Sequence, residues 1–232
     1  MKRSWQGGAR DGLLVLLTLT TGAVDASCFL HLGNVFSSVI TGNLVLLGVA
    51  VATQSGSLAI HSGTALAGYA AGVLIGAPIA TRRGSGGETW PPSVTATLVA
   101  EFCVLAGFSV GWELTGGSPG GTARLLLIAG LAMAMGIQSA AVRELGGMST
   151  TYLTGTLTAV IAELATRDRK PGLARSVGVL VAIVSGAVAG GLVAGHAPAW
   201  LPAVILAPLA GVVIASVTLE AVKPASGPRR DR

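Results

Sequence analysis

The chain alternates long runs of apolar residues with short polar breaks. Apolar stretches fall at about 13–32, 35–52, 58–80, 93–114, 122–142, 150–166, 173–195 and 200–220. Several reach the roughly 20 residues that a helix needs to cross about 30 Å of hydrocarbon. The period-two alternation of a transmembrane barrel is not seen. Because backbone groups in lipid must be satisfied within their own segment, the pattern predicts an all-α, polytopic membrane helix bundle.

Composition agrees with that prediction. Of the 232 residues, 51% are hydrophobic and 11% charged, with a mean hydropathy of +0.72. We expect one membrane domain over 1–232, with a basic cytoplasmic tail at 223–232 and the lipid bilayer as the main partner. The net charge of +5 resides in tails and short loops without interleaved aromatic residues, so no nucleic-acid partner is predicted.

Sequence motifs for catalysis are missing. HExxH, CxxC, GxSxG, Walker A and GxGxxG patterns in a suitable context do not occur, which argues against an enzyme. Cys28 and Cys103 lie inside apolar runs, where free thiols behave as small hydrophobes. Neither a metal site nor a cofactor is predicted.

Two polar interruptions resemble each other. "LGNVFSSVITGNL" begins at Leu32 and "LGGMSTTYLTGTL" begins at Leu145, 113 residues later, and five of their thirteen positions are identical. This composition gives roughly one identity by chance. With one further residue of slippage, Gly72 and Gly76 align with Gly186 and Gly190, a spacing that allows close helix packing. The chain is therefore predicted to consist of two repeat halves, 11–114 and 122–222.

The segments after each interruption are short. From Thr41 to about Thr53, and from Thr154 to Thr166, only about 12 residues or 18 Å of helix are available. If both are re-entrant half-helices, six full spans remain and the repeats are inverted. The alternative is eight spans with parallel repeats. Six spans put both termini in the cytoplasm with every Lys and Arg except Arg124, whereas eight leave three basic residues outside.

The same segments contain candidate binding residues. Thr41 and its counterpart Thr154 are predicted to cap two half-helices whose N-termini face the middle of the bilayer. The partial positive charge of such ends suits a small polar or anionic solute. The neighbouring candidates are Gly42, Asn43, Gly155 and Thr156. Alternatively, Gly and Thr at these positions only permit tight packing.

Three further polar residues lie inside predicted spans. A carboxylate at the position of Asp25 costs about 2.5 to 3.5 kcal/mol, so Asp25 should face the interior. It is a protonatable coupling site, a cation ligand, or a carboxyl bonded to Gln138 or a backbone carbonyl. Glu101 is a second candidate, with an interhelical hydrogen bond as the alternative. Gln138 is either a solute ligand or a clamp on Asp25.

The motifs also resemble a known family. "GAVDASCFLHLGNVFSSVITGNLVLLG" and "AMGIQSAAVRELGGMSTTYLTGTLT" resemble the bacterial YoaK-type membrane proteins, a family of unknown function. The residues that match are Gly22, Asp25, Ala26, Thr41, Gly42, Asn43, Gln138, Thr154, Gly155 and Thr156. Such proteins usually have Asn after the Gln, where this chain has Ser139. The resemblance implies a multi-pass protein of the bacterial inner membrane, and it implies no activity.

Two functional hypotheses follow. The first is a small-solute transporter or channel with a central polar site formed by the candidates above. The second is a membrane scaffold or partner-binding protein whose buried polar groups only specify helix packing. The small-residue spacings permit a homo-oligomer but serve internal packing equally well.

Overall fold

A computed structural model describes residues 2–82, 90–145, 153–166 and 172–221, and the regular elements in this part of the chain are all helices. Six helices are long and apolar enough to cross a membrane, and two are shorter. The predicted all-α class with six long and two short helices is confirmed. The elements are α1 (Lys2–Ser27, continued by a π-helical turn at Cys28–Gly33), α2 (Ile40–Ala52), α3 (Gly56–Ala80), α4 (Pro92–Leu114), α5 (Gly121–Glu144), α6 (Leu153–Thr166), α7 (Leu173–His196) and α8 (Leu201–Ala221).

Two predicted features lie partly or wholly outside the described residues. The basic tail at 223–232 is one, and the portion of the second polar interruption at 146–152 is the other. The helices that follow the interruptions are both short. At 13 residues for α2 and 14 for α6, each is about 20 Å long, less than the hydrocarbon thickness.

The chain leaves helical geometry between α1 and α2. After the π-helical turn, Asn34 adopts left-handed geometry with φ 58°, and the segment up to Val39 is irregular. Gly33 has φ 141°, and a Cβ there would come within 2.3 Å of the His61 ring. Only glycine satisfies both conditions, so the position of this break is determined by sequence.

α1 and α5 form the centre of the bundle. In the most apolar window of each, 67% of residues are buried, against 22% for α3 and 28% for α7. Large apolar side chains on the outer helices, such as Val45, Leu74 and Val184, are exposed instead. An apolar outer surface of this extent implies contact with the lipid bilayer.

Glycines allow the closest helix contacts. A Cβ on Gly72 of α3 would lie 2.1 Å from the carbonyl oxygen of Met133 on α5, and one on Gly186 of α7 would lie 2.0 Å from that of Leu19 on α1. Backbones at this separation exclude every other residue. The close packing predicted for these glycines is confirmed.

The two glycine interfaces are equivalent when the first and second halves of the chain exchange places. Gly186 is 114 residues beyond Gly72, and Met133 is 114 residues beyond Leu19. The contact of Gly72 in the first half with Met133 in the second half is therefore matched by the contact of Gly186 in the second half with Leu19 in the first half. A second pair obeys the same rule. Gly136 packs on Tyr69 and Gly22 packs on Ile183, with 2.2 Å between the hypothetical Cβ and the carbonyl oxygen in both. Each glycine contact between α3 and α5 thus has a counterpart between α1 and α7.

The contacts also give the directions of the helices. Gly72 and Gly76 meet Met133 and Ile137 in the same order, so α3 and α5 run parallel. By the equivalent contacts, α1 and α7 run parallel. α1 and α5 run in opposite directions, as two hydrogen bonds indicate. Thr21 bonds to Gln138. Arg10, which is eleven residues before Thr21, bonds to the carbonyl oxygen of Leu145, which is seven residues after Gln138.

Polar contacts mark the two ends of the bundle. At one end, Arg10 donates to the Leu145 carbonyl oxygen, and Arg175 forms an ion pair with Asp11 at 3.1 Å. At the other end, the Trp112 indole N–H donates to the Pro198 carbonyl oxygen at 2.9 Å. These contacts tie α1, α5 and α7 together at one end, and α4 to the α7–α8 connection at the other.

Candidate functional site

Asp25 holds the irregular segment before α2. Its Oδ1 accepts the backbone N–H groups of Ser37 and Ser38, both at 2.8 Å, and the Ser37 hydroxyl at 2.7 Å. Its Oδ2 accepts the Ser38 hydroxyl at 2.5 Å. Four donors therefore converge on one side chain that is only 8% exposed. This arrangement uses the carboxyl group entirely as an acceptor.

Asn43 stabilises the same segment from α2. Its side-chain N–H group donates to the Phe36 carbonyl oxygen at 2.6 Å, and its Oδ1 accepts the Phe36 N–H at 2.9 Å. Backbone groups that leave a helix inside a membrane must find partners in the protein. Asp25 and Asn43 provide those partners for three consecutive residues. The polar residues of the first interruption therefore stabilise a break in the helix.

The predicted capping role of Thr41 is wrong. α2 begins at Ile40, its N-cap residue is Val39, and no side chain caps it. The first turn is instead bonded through the backbone, since the Asn43 N–H donates to the Val39 carbonyl oxygen. The Thr41 side chain is exposed. Because the Thr41 side chain points away from the bundle, backbone groups rather than its hydroxyl satisfy the first turn of α2.

The second TG pair is also displaced from its predicted role. Thr154 lies inside α6, after Leu153, rather than at a cap, and both Thr154 and Gly155 are exposed. Gly42 is closest to the side chains of Val39 and Phe36. Thr156 is buried, like Asn43 at the corresponding position of α2. Among the TG pairs and the residue that follows each pair, Asn43 and Thr156 are the buried ones.

Asp25 and Gln138, one of the pairings that the sequence left open, each bond to other residues. The Gln138 Oε1 accepts the Thr21 hydroxyl at 2.8 Å, one turn of α1 before Asp25. The oxygens of Asp25 are occupied by the segment before α2, and the antiparallel register of α1 and α5 brings Thr21 to Gln138 instead.

Glu101 joins Gln138 from α4. The Gln138 Nε2 donates to the Glu101 Oε1 at 3.1 Å, so Thr21, Gln138 and Glu101 form a hydrogen-bonded chain across α1, α5 and α4. We call this the central polar chain. All three side chains are at most 1% exposed. The interhelical hydrogen bond expected as the alternative role of Glu101 is present, but it uses only one of the two carboxyl oxygens.

The second oxygen of Glu101 is unusual. Oε2 is buried and has no hydrogen-bond partner among the described residues. Buried polar atoms in native proteins nearly always have partners, so an exception requires an explanation. The Ser139 hydroxyl, on the residue after Gln138, is also buried without a partner. Unused hydrogen-bonding capacity is therefore found at and beside the central polar chain.

Sequence reasoning identified Glu101 and Gln138 but missed Thr21. Thr21 belongs to "TLTT" in α1, where Thr18 and Thr21 both return a hydrogen bond to the preceding turn. Nothing local distinguishes them. The available signal for Thr21 was its position one turn before Asp25, on the same face of α1.

The described residues contain no group of three or more His, Cys, Asp or Glu side chains that could hold a metal ion. A groove between α1 and α7 is lined by Val15, Leu19, Val177 and Val181 and is almost wholly apolar. It opens to the surface of the bundle and has the character of a lipid-facing groove.

Comparison with known proteins identifies the family. Residues 13–215 match the family described as protein of unknown function (DUF1275). The chain belongs to the DUF1275 family. It is 36% identical over 160 residues to the UPF0700 transmembrane protein YoaK of Bacillus subtilis (strain 168), covering 68% of each chain. The resemblance to YoaK-type proteins is thus confirmed. No solved structure matches.

The transmembrane relative agrees with a multi-pass membrane protein, as the six long apolar helices indicate. The family description names no activity and no solute. The DUF1275 fold therefore has to be interpreted from the positions of its polar groups.

Proposed function

We propose that this DUF1275 protein is a small-solute transporter built from two inverted repeats, with its solute site at the central polar chain. The observation that carries the proposal is the hydrogen bond between Thr21 and Gln138, which joins the two halves at their buried interface. Transporters with inverted repeats bind solute at such an interface, near the bilayer midplane. Polar side chains in the interior of a membrane bundle are costly and are usually retained for function.

The exchanged glycine interfaces support the inverted repeats. Eight crossings would make α1 and α5 parallel, because both would be odd-numbered spans. Their antiparallel contacts instead favour six crossings, with α2 and α6 re-entrant. The end that carries Arg10 and Arg175 is then cytoplasmic by the positive-inside rule. Both termini would lie on that side.

The surroundings of α2 narrow the class of solute. The sequence suggested a small polar or anionic solute at the half-helix N-termini, but the Asp25 carboxyl already accepts the N–H groups just before α2. Those N–H groups are therefore not available to an anionic solute. Glu101 offers one buried carboxyl oxygen that has no partner among the described residues. We therefore propose a small neutral or cationic polar solute.

Flux through proteoliposomes tests this proposal. Labelled glycerol, urea, glycine and methylammonium serve as probes, with chloride as the anionic comparison. We expect at least one neutral or cationic probe to cross faster than in protein-free liposomes, and Gln138→Leu to abolish the increase. Thr18→Val is the matched control, because the Thr18 hydroxyl bonds only to Leu14 of its own helix. No acceleration of any probe would reject the transport proposal.

Cysteine labelling tests the topology separately. Single cysteines replace Gln54 or Arg82 in a background without Cys28 and Cys103. Six crossings require Gln54 outside and Arg82 inside. The reverse labelling pattern would support eight crossings and parallel repeats.

A scaffold function is the second candidate, and the environment of Asp25 favours it. A carboxyl whose four hydrogen bonds all hold its own chain has a structural role. If every buried polar group acts in this way, no solute should stabilise the purified protein. A thermal-shift screen with the same probes distinguishes the two candidates.

A further inference from the structure

We propose that Glu101 is a proton-binding site and that its proton is the coupling ion of transport. The inference rests on the proposed function and adds the ion that drives it. The step is the reversible formation of one O–H bond at the Glu101 carboxyl, without any change of redox state. The proton comes from water admitted from one side and returns to water on the other.

Glu101 is buried, but its hydrogen-bonding capacity is only partly used. Its side chain is 0% exposed, Oε1 accepts one hydrogen bond from Gln138, and Oε2 accepts none. A buried carboxylate is normally stabilised by several donors or by a cation. A proton on Oε2 removes the charge and supplies a donor, which a solute or water entering the site can accept.

The helices packed on α4 supply no counter-charge to Glu101. α4 contacts α3, α5 and α8. Their titratable or charged side chains in the described part of the chain are His61 and Tyr69 on α3, and Arg124, Arg143 and Glu144 on α5; α8 has none over 201–218. On α4 itself, Cys103 and Glu113 are exposed.

The basic groups of α5 lie at its ends. Arg143 is five residues beyond Gln138, or about 7.5 Å along the helix and on a different face, and its side chain is exposed. Arg124 is fourteen residues before Gln138, near the opposite end. Neither forms an ion pair with Glu101. The described residues therefore leave a proton as the simplest way to neutralise this carboxyl.

Infrared spectroscopy tests the proton site independently of transport. The full chain is reconstituted in lipid, and difference spectra are recorded between acidic and alkaline buffer. We expect a carbonyl band of a protonated carboxylic acid that titrates with pH and is lost in Glu101→Gln. Glu113→Gln, an exposed acid on the same helix, should leave the band unchanged. A band that survives in Glu101→Gln, or no such band in the wild type, would overturn the inference.

A second variant protects this test against misfolding. Glu101→Asp keeps a titratable carboxyl at the same position, so the band should move in frequency rather than disappear. An unchanged band in Glu101→Asp would also assign it to another residue and reject the proton site.

Coupling is tested with whichever probe the flux assay identifies. A pH gradient should drive its accumulation in wild-type proteoliposomes, and Glu101→Gln should reduce accumulation to the level of protein-free liposomes while exchange at equal pH continues. Accumulation driven by a sodium gradient, or accumulation unchanged in Glu101→Gln, would overturn proton coupling but leave the transport proposal intact. If the infrared band depends on Glu101 but no probe moves, the transport proposal and the coupling fail while the proton site stands.

Discussion

Asp25 and Glu101 are two carboxyl groups buried in one helix bundle, and they differ in how their oxygens are used. Asp25 accepts four hydrogen bonds, whereas Glu101 accepts one and leaves Oε2 without a partner. Burial is similar in both. What separates a structural acid from a candidate functional one in this protein is therefore the number of donors that reach it.

The local backbone explains the difference. Asp25 lies opposite a segment that has left helical geometry, so the N–H groups of Ser37 and Ser38 are available to it. Glu101 lies in the middle of α4 and faces α5, where backbone groups are already bonded within their helices. Its donors must therefore come from side chains, and within the described part of the chain Gln138 supplies one.

The largest expected effect is the loss of the Asp25 carboxyl. Asp25→Ala leaves two backbone N–H groups and two hydroxyls unpaired, and we expect it to lower the free energy of unfolding by about 3 to 5 kcal/mol. Denaturant unfolding in detergent, followed by circular dichroism, measures the change. A loss as small as that of Glu101→Gln would remove the distinction between the two acids.

A smaller effect is expected from one donor to Asp25. Ser38→Ala removes the hydrogen bond to Oδ2 and should cost about 1 to 3 kcal/mol. Ser62→Ala is the matched control, since the Ser62 hydroxyl is also buried but has no hydrogen-bond partner among the described residues. Equal thermal stability of the two variants would mean that the hydroxyl of Ser38 contributes nothing to the fold.

The link between the halves should have a moderate effect. Thr21→Val removes the bond to Gln138 and should lower the free energy of unfolding by about 1 kcal/mol. Thr18→Val removes only a bond within α1 and should cost less. Thermal melts of the two variants in the same detergent provide the comparison. A larger loss from Thr18→Val would indicate that the central polar chain does not stabilise the halves against each other.

The smallest effect on stability is expected at Glu101. Glu101→Gln keeps the shape of the side chain and an acceptor for Gln138, so the free energy of unfolding should change by less than about 1 kcal/mol. Denaturant midpoints measured beside those of Asp25→Ala test this. A destabilisation comparable to that of Asp25→Ala would make both acids structural and favour the scaffold function.

Much of the architecture was predictable because it depends on local properties. The run at 93–114 became α4 at Pro92–Leu114, and the shortness of α2 and α6 followed from the position of the TG pairs. The close contacts of Gly72 and Gly186 followed from the spacing of the glycines. Hydropathy, length and the absence of a Cβ are properties of a segment, and they act in the same way wherever that segment packs.

The sequence by itself indicated that Asp25, Glu101 and Gln138 are buried, since they lie within apolar runs. Only the tertiary structure decided which of them meet. The partner of a side chain depends on the direction, rotation and register of the neighbouring helix, and the antiparallel packing of α1 on α5 brought Thr21 to Gln138. The fold of the segment before α2 gave Asp25 its four donors, and Glu101 was left with one because the helices around it had no backbone groups to offer.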